Sequence, residues 1–178
     1  VSKALARGLG DRRRGVGFDQ LAEIMVGEDG ADITLRFWNS DGTAAGACGN
    51  ATRCVAAHLM ETSGTETIAI RTERGLLRAE ARDGVVRVNM GMPQLAWQDV
   101  PLSEDVDTDH LPIEGDPVAV GMGNPHCVFF VDDIESVDVT ARGSAIEHHP
   151  LFPNATNVEF AEVRSHTEIR MRVWERGT

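Results

Sequence analysis

The chain has one lysine, Lys3, among 178 residues. Schiff-base chemistry, pyridoxal phosphate attachment included, needs a desolvated lysine held in a pocket, and Lys3 at the edge of the sequence is a poor candidate. Long apolar runs are missing too. No stretch approaches the roughly 18–20 residues that span a bilayer, and the opening VSKALARGLGDRRRG lacks the apolar core of a signal peptide. No membrane partner is expected. Because the sequence opens on Val1 rather than Met, the natural N-terminus is expected upstream. Cysteine is scarce: three residues, an odd count, make no disulfide framework and fit a reducing, cytoplasmic setting. The sequons at Asn50 and Asn154 then carry no weight. Positive charge is short as well, with 17 Lys and Arg against 28 Asp and Glu, net -11. An acidic surface repels phosphate backbones, which argues against a nucleic-acid partner. The cluster Arg12-Arg13-Arg14 reads as a solvated turn.

What is present is ordinary globular composition, 42% apolar and 25% charged. The first segment, to about residue 25, carries a helical pattern and then RGVGFDQLAEI (14–24). ADITLRFW (31–38) alternates as a half-buried strand, and NSDG (39–42) is turn chemistry. Gly49 to Met60 turns helical, with Val55 and Leu59 four apart and Gly64 as a stop. TIAIRTERGLLRAEARDGVVRVNM (67–90) reads as three strands broken at Arg74-Gly75 and Asp83-Gly84. The Pro- and Asp-rich segment 91–112 sets a domain boundary near residue 92, giving domains 1–92 and 93–178. In the second, CVFFV (127–131) is an apolar strand and 134–147 a short helix. NVEFAEV (157–163) and EIRMRVW (168–174) follow as strands, the latter with Ile169, Met171 and Val173 alternating with arginines. Strands joined by short turns favour antiparallel sheets. Met90-Gly91-Met92-Pro93 echoes Met122-Gly123-Asn124-Pro125, too weakly to establish a repeat.

The densest stretch is DGTAAGACGNATRC (41–54). If a helix starts at Gly49, Cys48 sits at its N-cap, where unpaired N–H groups and the helix dipole favour a thiolate and can dock a carboxylate. That pairing suits removal of a proton from the carbon beside a carboxylate. A small buried cysteine at a tight turn accounts for the residues equally well. Cys54, nearly opposite Cys48 on the helix, is expected in the core, and Cys127 in strand packing. A zinc site on Cys48 and Cys54 has unsuitable spacing, so no metal is expected.

NSDGTAAGACGNATRC (39–54) closely resembles the first active-site segment of the diaminopimelate epimerase family. DRRRGVGFDQ (11–20), MGNPHCVFFVDD (122–133), FPNATNVEF (152–160) and RVWERGT (172–178) resemble further segments of that family in the same order. The resemblance implies an α/β (α+β) fold of two pseudo-symmetric domains, each a mainly antiparallel sheet wrapped around a central helix. It implies epimerisation of LL- to meso-diaminopimelate without any cofactor, by two thiols on opposite faces of the α-carbon, in a homodimer. Cys48 matches the first thiol. Gly49 and Asn50 would hold the α-carboxylate, Glu175 the α-amino group and Arg176 the distal carboxylate. Asn39, Asn124 and Asn157 would add hydrogen bonds, and Gln20 and His126 would line the pocket. Arginine suits bidentate carboxylate recognition, and asparagine gives direction without charge.

Three departures from the family pattern stand out. The family's N-terminal Gly-Asn-Asp-Phe-like strand is absent before Val1, Ala51 replaces a usual glycine, and the second cysteine would follow Thr178. These 178 residues are therefore expected not to epimerise alone. Two alternatives are a related proline or hydroxyproline racemase and a non-catalytic carboxylate-binding protein of the same fold.

Overall fold

The structure, a computed structural model, describes residues 1–177. The chain packs as two units, Val1–Gly91 and Met92–Thr178. The first opens with helix α1 (Lys3–Gly10), capped by the Ser2 hydroxyl accepting from Leu5 N–H. Strands β1 (Gln20–Val26), β2 (Ile33–Asn39) and β3 (Ala44–Ala45) follow, then helix α2 (Gly49–Ser63) and strands β4 (Thr67–Thr72), β5 (Gly75–Arg82) and β6 (Val85–Asn89). The sheet runs β1-β2-β4-β5-β6, with β3 against β2. Only β2 and β4 pair in parallel, because α2 carries the chain across between them.

Sequence reasons for these elements are visible. Alternation on β2 turns Leu35 and Phe37 inward while Arg36 stays exposed. Asp83 and Gly84 both take positive φ, 54° and 75°, as a two-residue hairpin turn requires. Helix α2 ends on Gly64 in the left-handed region, φ 70°, whose N–H returns to the Met60 carbonyl. Ala56 and Met60 of α2 pack against Leu35, Phe37, Ile70, Leu77 and Ala79. Burying each large apolar side chain contributes about 1.5–3 kcal/mol before entropy is subtracted.

The second unit holds β7 (Val118–Gly121), β8 (Pro125–Phe130), a 3-10 turn (Ile134–Ser136), helix α3 (Val139–Glu147), β9 (Asn157–Ser165) and β10 (Glu168–Trp174). Its sheet runs β10-β9-β8-β7, antiparallel except between β8 and β9. Phe129 and Phe160 stack at 5.3 Å in the core, beneath the Arg142 guanidinium. The fold is thus mixed α and β, with mainly antiparallel sheets.

Several sequence expectations need correction. Cys54 is exposed, not core: the inward face of α2 is Thr52, Ala56 and Met60, and Cys54 lies between them in sequence but on the other side. The helix expected over 134–147 is a 3-10 turn followed by α3. Residues 20–26 form a strand, β1, that the helical reading of the first segment did not isolate. Ile169, Met171 and Val173 of β10 are all exposed, 60%, 55% and 40%, on the strand at the edge of the sheet.

Candidate functional site

Cys48 caps α2, as its place before Gly-Asn suggests. It has extended backbone, φ -150° and ψ 95°, and its Sγ accepts from Ala51 N–H at 3.4 Å. Thr52, fully buried, returns its hydroxyl to the Cys48 carbonyl at 2.8 Å. That bond fixes the first turn around the cap. The N–H groups of Gly49 and Asn50 begin the helix and lie outside its ladder. The Asn50 side-chain oxygen accepts from Arg53 at 3.2 Å. Cys48 is half-buried against the α2 core, Cys127 fully buried. Burial pushes the Cys127 thiol up to about 12, with the Glu159 charge adding and Arg142 opposing.

Gln20 and Asn39 face each other across the β1–β2 register. The Gln20 amide donates to Asn39 Oδ1 at 3.1 Å, and Asn39 Nδ2 donates to the Thr43 hydroxyl at 3.0 Å. Thr43 donates in turn to Asp41, from its hydroxyl at 2.6 Å and from its N–H at 2.8 Å. Those two bonds hold the Asp41 carboxyl below its ordinary value. Both ends of the Asn39 amide are therefore engaged.

In the second unit, β8 and β9 bring His126 and Asn157 into register. His126 Nδ1 lies 2.6 Å from Glu159 Oε1, and its Nε2 3.0 Å from Asn124 Oδ1. Asn157, buried, accepts the Arg176 N–H at 3.0 Å and donates to the Pro125 carbonyl at 3.4 Å. The Arg176 side chain reaches the Asn154 carbonyl at 3.2 Å. Burial draws Arg176 below the ordinary guanidinium value, while Glu147 pushes it back up. Glu175 is exposed. Two surface concavities, one along the β9–β10 hairpin and one beside β2 and β3, contain none of these candidate residues.

Glu147 organises this segment. It is 5% exposed at the end of α3, and its carboxylate accepts from Trp174 Nε1 at 2.8 Å and Gly177 N–H at 2.7 Å. Trp174 can lie on α3 because residue 143 is glycine: a Cβ there would fall 2.4 Å from the Trp174 side chain. The two ends of the Trp174–Gly177 stretch are thus tied to one buried carboxylate, with Glu175 and Arg176 between them.

Among the described residues no group of three or more His, Cys, Asp or Glu side chains is placed to hold a metal ion. No helix among them is long and apolar enough to cross a membrane.

Comparison with known proteins adds the family. Residues 1–96 and 118–178 match the family model described as diaminopimelate epimerase. The chain belongs to that family. It is 46% identical over 183 residues to the diaminopimelate epimerase of Rhodospirillum centenum, across 99% of this chain and 63% of that protein. It is 45% identical over 188 residues to that of Caulobacter vibrioides, across 98% and 65%. The chain thus spans about two thirds or less of these curated relatives. Among solved structures, a hydroxyproline epimerase from Agrobacterium vitis with bound trans-4-hydroxy-L-proline superposes with a TM-score of 0.60. Its identity is 17%, and the match covers 94% of this chain and 56% of that one. A Bacillus anthracis phenazine biosynthesis protein of the PhzF family gives 0.57, also at 17% identity, across 98% and 62%. At that identity the likeness concerns the fold.

For a diaminopimelate epimerase family member, the sequence reading left out four residues that the geometry brings in. Thr52 locks the Cys48 cap, Thr43 holds Asn39, Glu159 pairs His126, and Glu147 ties down the segment around Arg176. The NSDG turn was a signal for Thr43. The two glutamates gave none, since an isolated Glu beside apolar residues reads as solvated.

Proposed function

We propose that this chain carries one half of the chemistry of a cofactor-independent epimerase that interconverts LL- and meso-diaminopimelate, with Cys48 as one acid–base thiol. The observation that carries the reading is the N-cap geometry of Cys48, with the family membership behind it. A carboxylate docked on the N–H groups of Gly49 and Asn50 brings its α-carbon beside Sγ. The thiolate takes the α-proton, and the same N–H groups stabilise the charge that moves onto the carboxylate oxygens. Inversion needs a second acid on the opposite face. Cys127 is buried and Cys54 sits on the outer side of α2, so neither fills that role, and the second thiol of the family mechanism comes from elsewhere. With Cys48 as its one thiol so placed, the 178-residue chain alone is expected to bind diaminopimelate without inverting it. The resemblance assigns donors for a distal carboxylate to Arg176 and to the asparagines Asn39, Asn124 and Asn157, and an acceptor for ammonium to Glu175. A substrate with an amino-acid group at each end matches that set, which argues against a proline-like substrate. Three free thiols fit a reducing, cytoplasmic setting. A homodimer is the assembly the resemblance implies.

The test follows the α-proton. LL-Diaminopimelate is incubated in deuterium oxide with the protein that carries this chain, with nothing else added. Deuterium is expected at the α-carbon, with the exchange rate falling at least about 100-fold in Cys48→Ala. Exchange undiminished in Cys48→Ala overturns the role of Cys48. Neither exchange nor binding by the unsubstituted protein overturns the whole reading.

A further inference from the structure

The amide pair of Gln20 and Asn39 has a direction that it does not choose itself. Two facing primary amides can pair either way, since each carries a donor and an acceptor. Gln20 can donate to Asn39, or Asn39 to Gln20. What lies on the other side of Asn39 breaks the tie.

That side is the turn 39–43. Gly42 N–H returns to the Asn39 carbonyl at 2.9 Å, and Asn39 N–H to the Thr43 carbonyl at 2.8 Å. Gly42 has φ 83°, and a Cβ there would fall 2.3 Å from the Lys3 carbonyl oxygen. Arg7 Nε donates to the Asp41 carbonyl at 3.2 Å. The turn is thus pinned against α1, with the Asp41 carboxylate 2.6 Å from the Thr43 hydroxyl. An ionised carboxylate only accepts. The hydroxyl proton therefore goes to Asp41, and the hydroxyl oxygen is left to accept, which it does from Asn39 Nδ2 at 3.0 Å. With its nitrogen turned to Thr43, Asn39 offers its oxygen to Gln20 Nε2 at 3.1 Å. In the reversed arrangement the one hydroxyl proton would face two acceptors, Asp41 and Asn39 Oδ1. One oxygen contact would then have no proton in it. Direction thus passes from a carboxylate through a hydroxyl to two amides. Among the described residues it leaves Asn39 one N–H to spare and Gln20 its carbonyl oxygen.

We propose that Asp41 and Thr43 are positioning residues that fix the direction of the amide pair of Gln20 and Asn39, so that Asn39 presents a donor to a carboxylate of the substrate. This rests on the epimerase reading, in which Asn39 helps to recognise the distal carboxylate of a two-ended amino acid. A reversed amide would set an oxygen against that carboxylate and penalise it. The effect falls on binding and leaves the thiol chemistry at Cys48 alone.

The test changes two exposed residues. Thr43→Val keeps the shape and the N–H bond to Asp41 but removes the hydroxyl; Thr43→Ser restores the hydroxyl. Asp41→Asn brings an amide that can itself donate to the hydroxyl. All three are expected to melt with the unsubstituted protein. KM and kcat are measured for α-proton exchange of LL-diaminopimelate in deuterium oxide, with the protein that carries this chain. Nitrogen-15 shifts of the side-chain amides are recorded in parallel. Gln20 has no bond to Thr43, so a shift of its amide reports the relay and not the lost contact. Thr43→Val is expected to raise KM about fivefold, to leave kcat within about twofold and to move the Gln20 amide. Asp41→Asn is expected to raise KM about threefold, and Thr43→Ser to stay within about twofold. An unchanged KM in Thr43→Val, a loss confined to kcat, or an unmoved Gln20 amide overturns the proposal. An unchanged KM in Asp41→Asn overturns the part of Asp41. If the unsubstituted protein neither exchanges nor binds diaminopimelate, the epimerase reading falls, and the Gln20 amide alone decides whether the relay exists.

Discussion

At the scale of single residues, the second unit depends on how Glu147 keeps its charge. Burial pushes its carboxyl up, but the bonds from Trp174 and Gly177, with the charges of His148 and Arg176, outweigh that and hold it below the ordinary value. A carboxyl lowered in the folded state binds fewer protons there than in the unfolded chain. Its contribution to stability is full above the ordinary value of 4.5 and is lost as pH falls through the lowered one. Glu147→Gln removes this. The new amide nitrogen would meet an N–H where an oxygen accepted, leaving a buried donor unsatisfied. The expected loss at pH 7 is about 1–3 kcal/mol, read by denaturant unfolding. The gap between the two proteins is expected to narrow below pH 4.5. A gap independent of pH would show that the carboxylate's charge is immaterial.

At the scale of elements, α2 is the piece that presents Cys48, and its far end offers a clean measurement. Gly64 closes it at φ 70°, and a Cβ built there meets nothing within 4 Å. Any cost of Gly64→Ala is therefore conformational, about 1–2 kcal/mol. Gly64→Asn is expected to cost less, because asparagine visits the left-handed region more readily. Thermal melts of the two variants order them, and an alanine variant as stable as the parent would mean that the helix ends differently. This end was legible in the sequence, as was the start. Cys48 before Gly-Asn, Val55 and Leu59 four apart, and Gly64 bracket α2 closely. Asp83-Gly84 likewise specifies a hairpin by its own backbone needs. β1 was harder, because Leu21, Ala22, Ile24 and Met25 crowd both faces and blur the alternation. Site pairs such as Gln20 with Asn39 depend on register between strands, which no local pattern states. Cys54 failed for a related reason: helical spacing says which residues share a side, and the buried side is chosen by what packs on it.

At the scale of the whole chain, the two units share one construction. Each has a helix leading into an antiparallel hairpin, α1 into β1–β2 and α3 into β9–β10. The second strand carries a similar run in both, Arg36-Phe37-Trp38 near the end of β2 and Arg172-Val173-Trp174 at the end of β10. The echo places Leu35 opposite Met171 in the alignment of the two hairpins, and Phe37 opposite Val173. In the first unit that face lies under α2, and Leu35 is 1% exposed. In the second, β10 is the edge strand of its sheet, and Met171 is 55% exposed. One pattern of alternation thus makes a core in one place and a surface in the other. Stability should divide along the same line. Leu35→Ala in the 178-residue chain is expected to cost about 2–5 kcal/mol, the range for emptying a buried leucine site. Met171→Ala is expected to cost about 0.5 kcal/mol or less, as at a surface position. Denaturant unfolding of the two variants makes the comparison. Similar costs at both positions would mean that the open face of β10 is covered in solution, and that the two hairpins are equals in packing as well as in sequence.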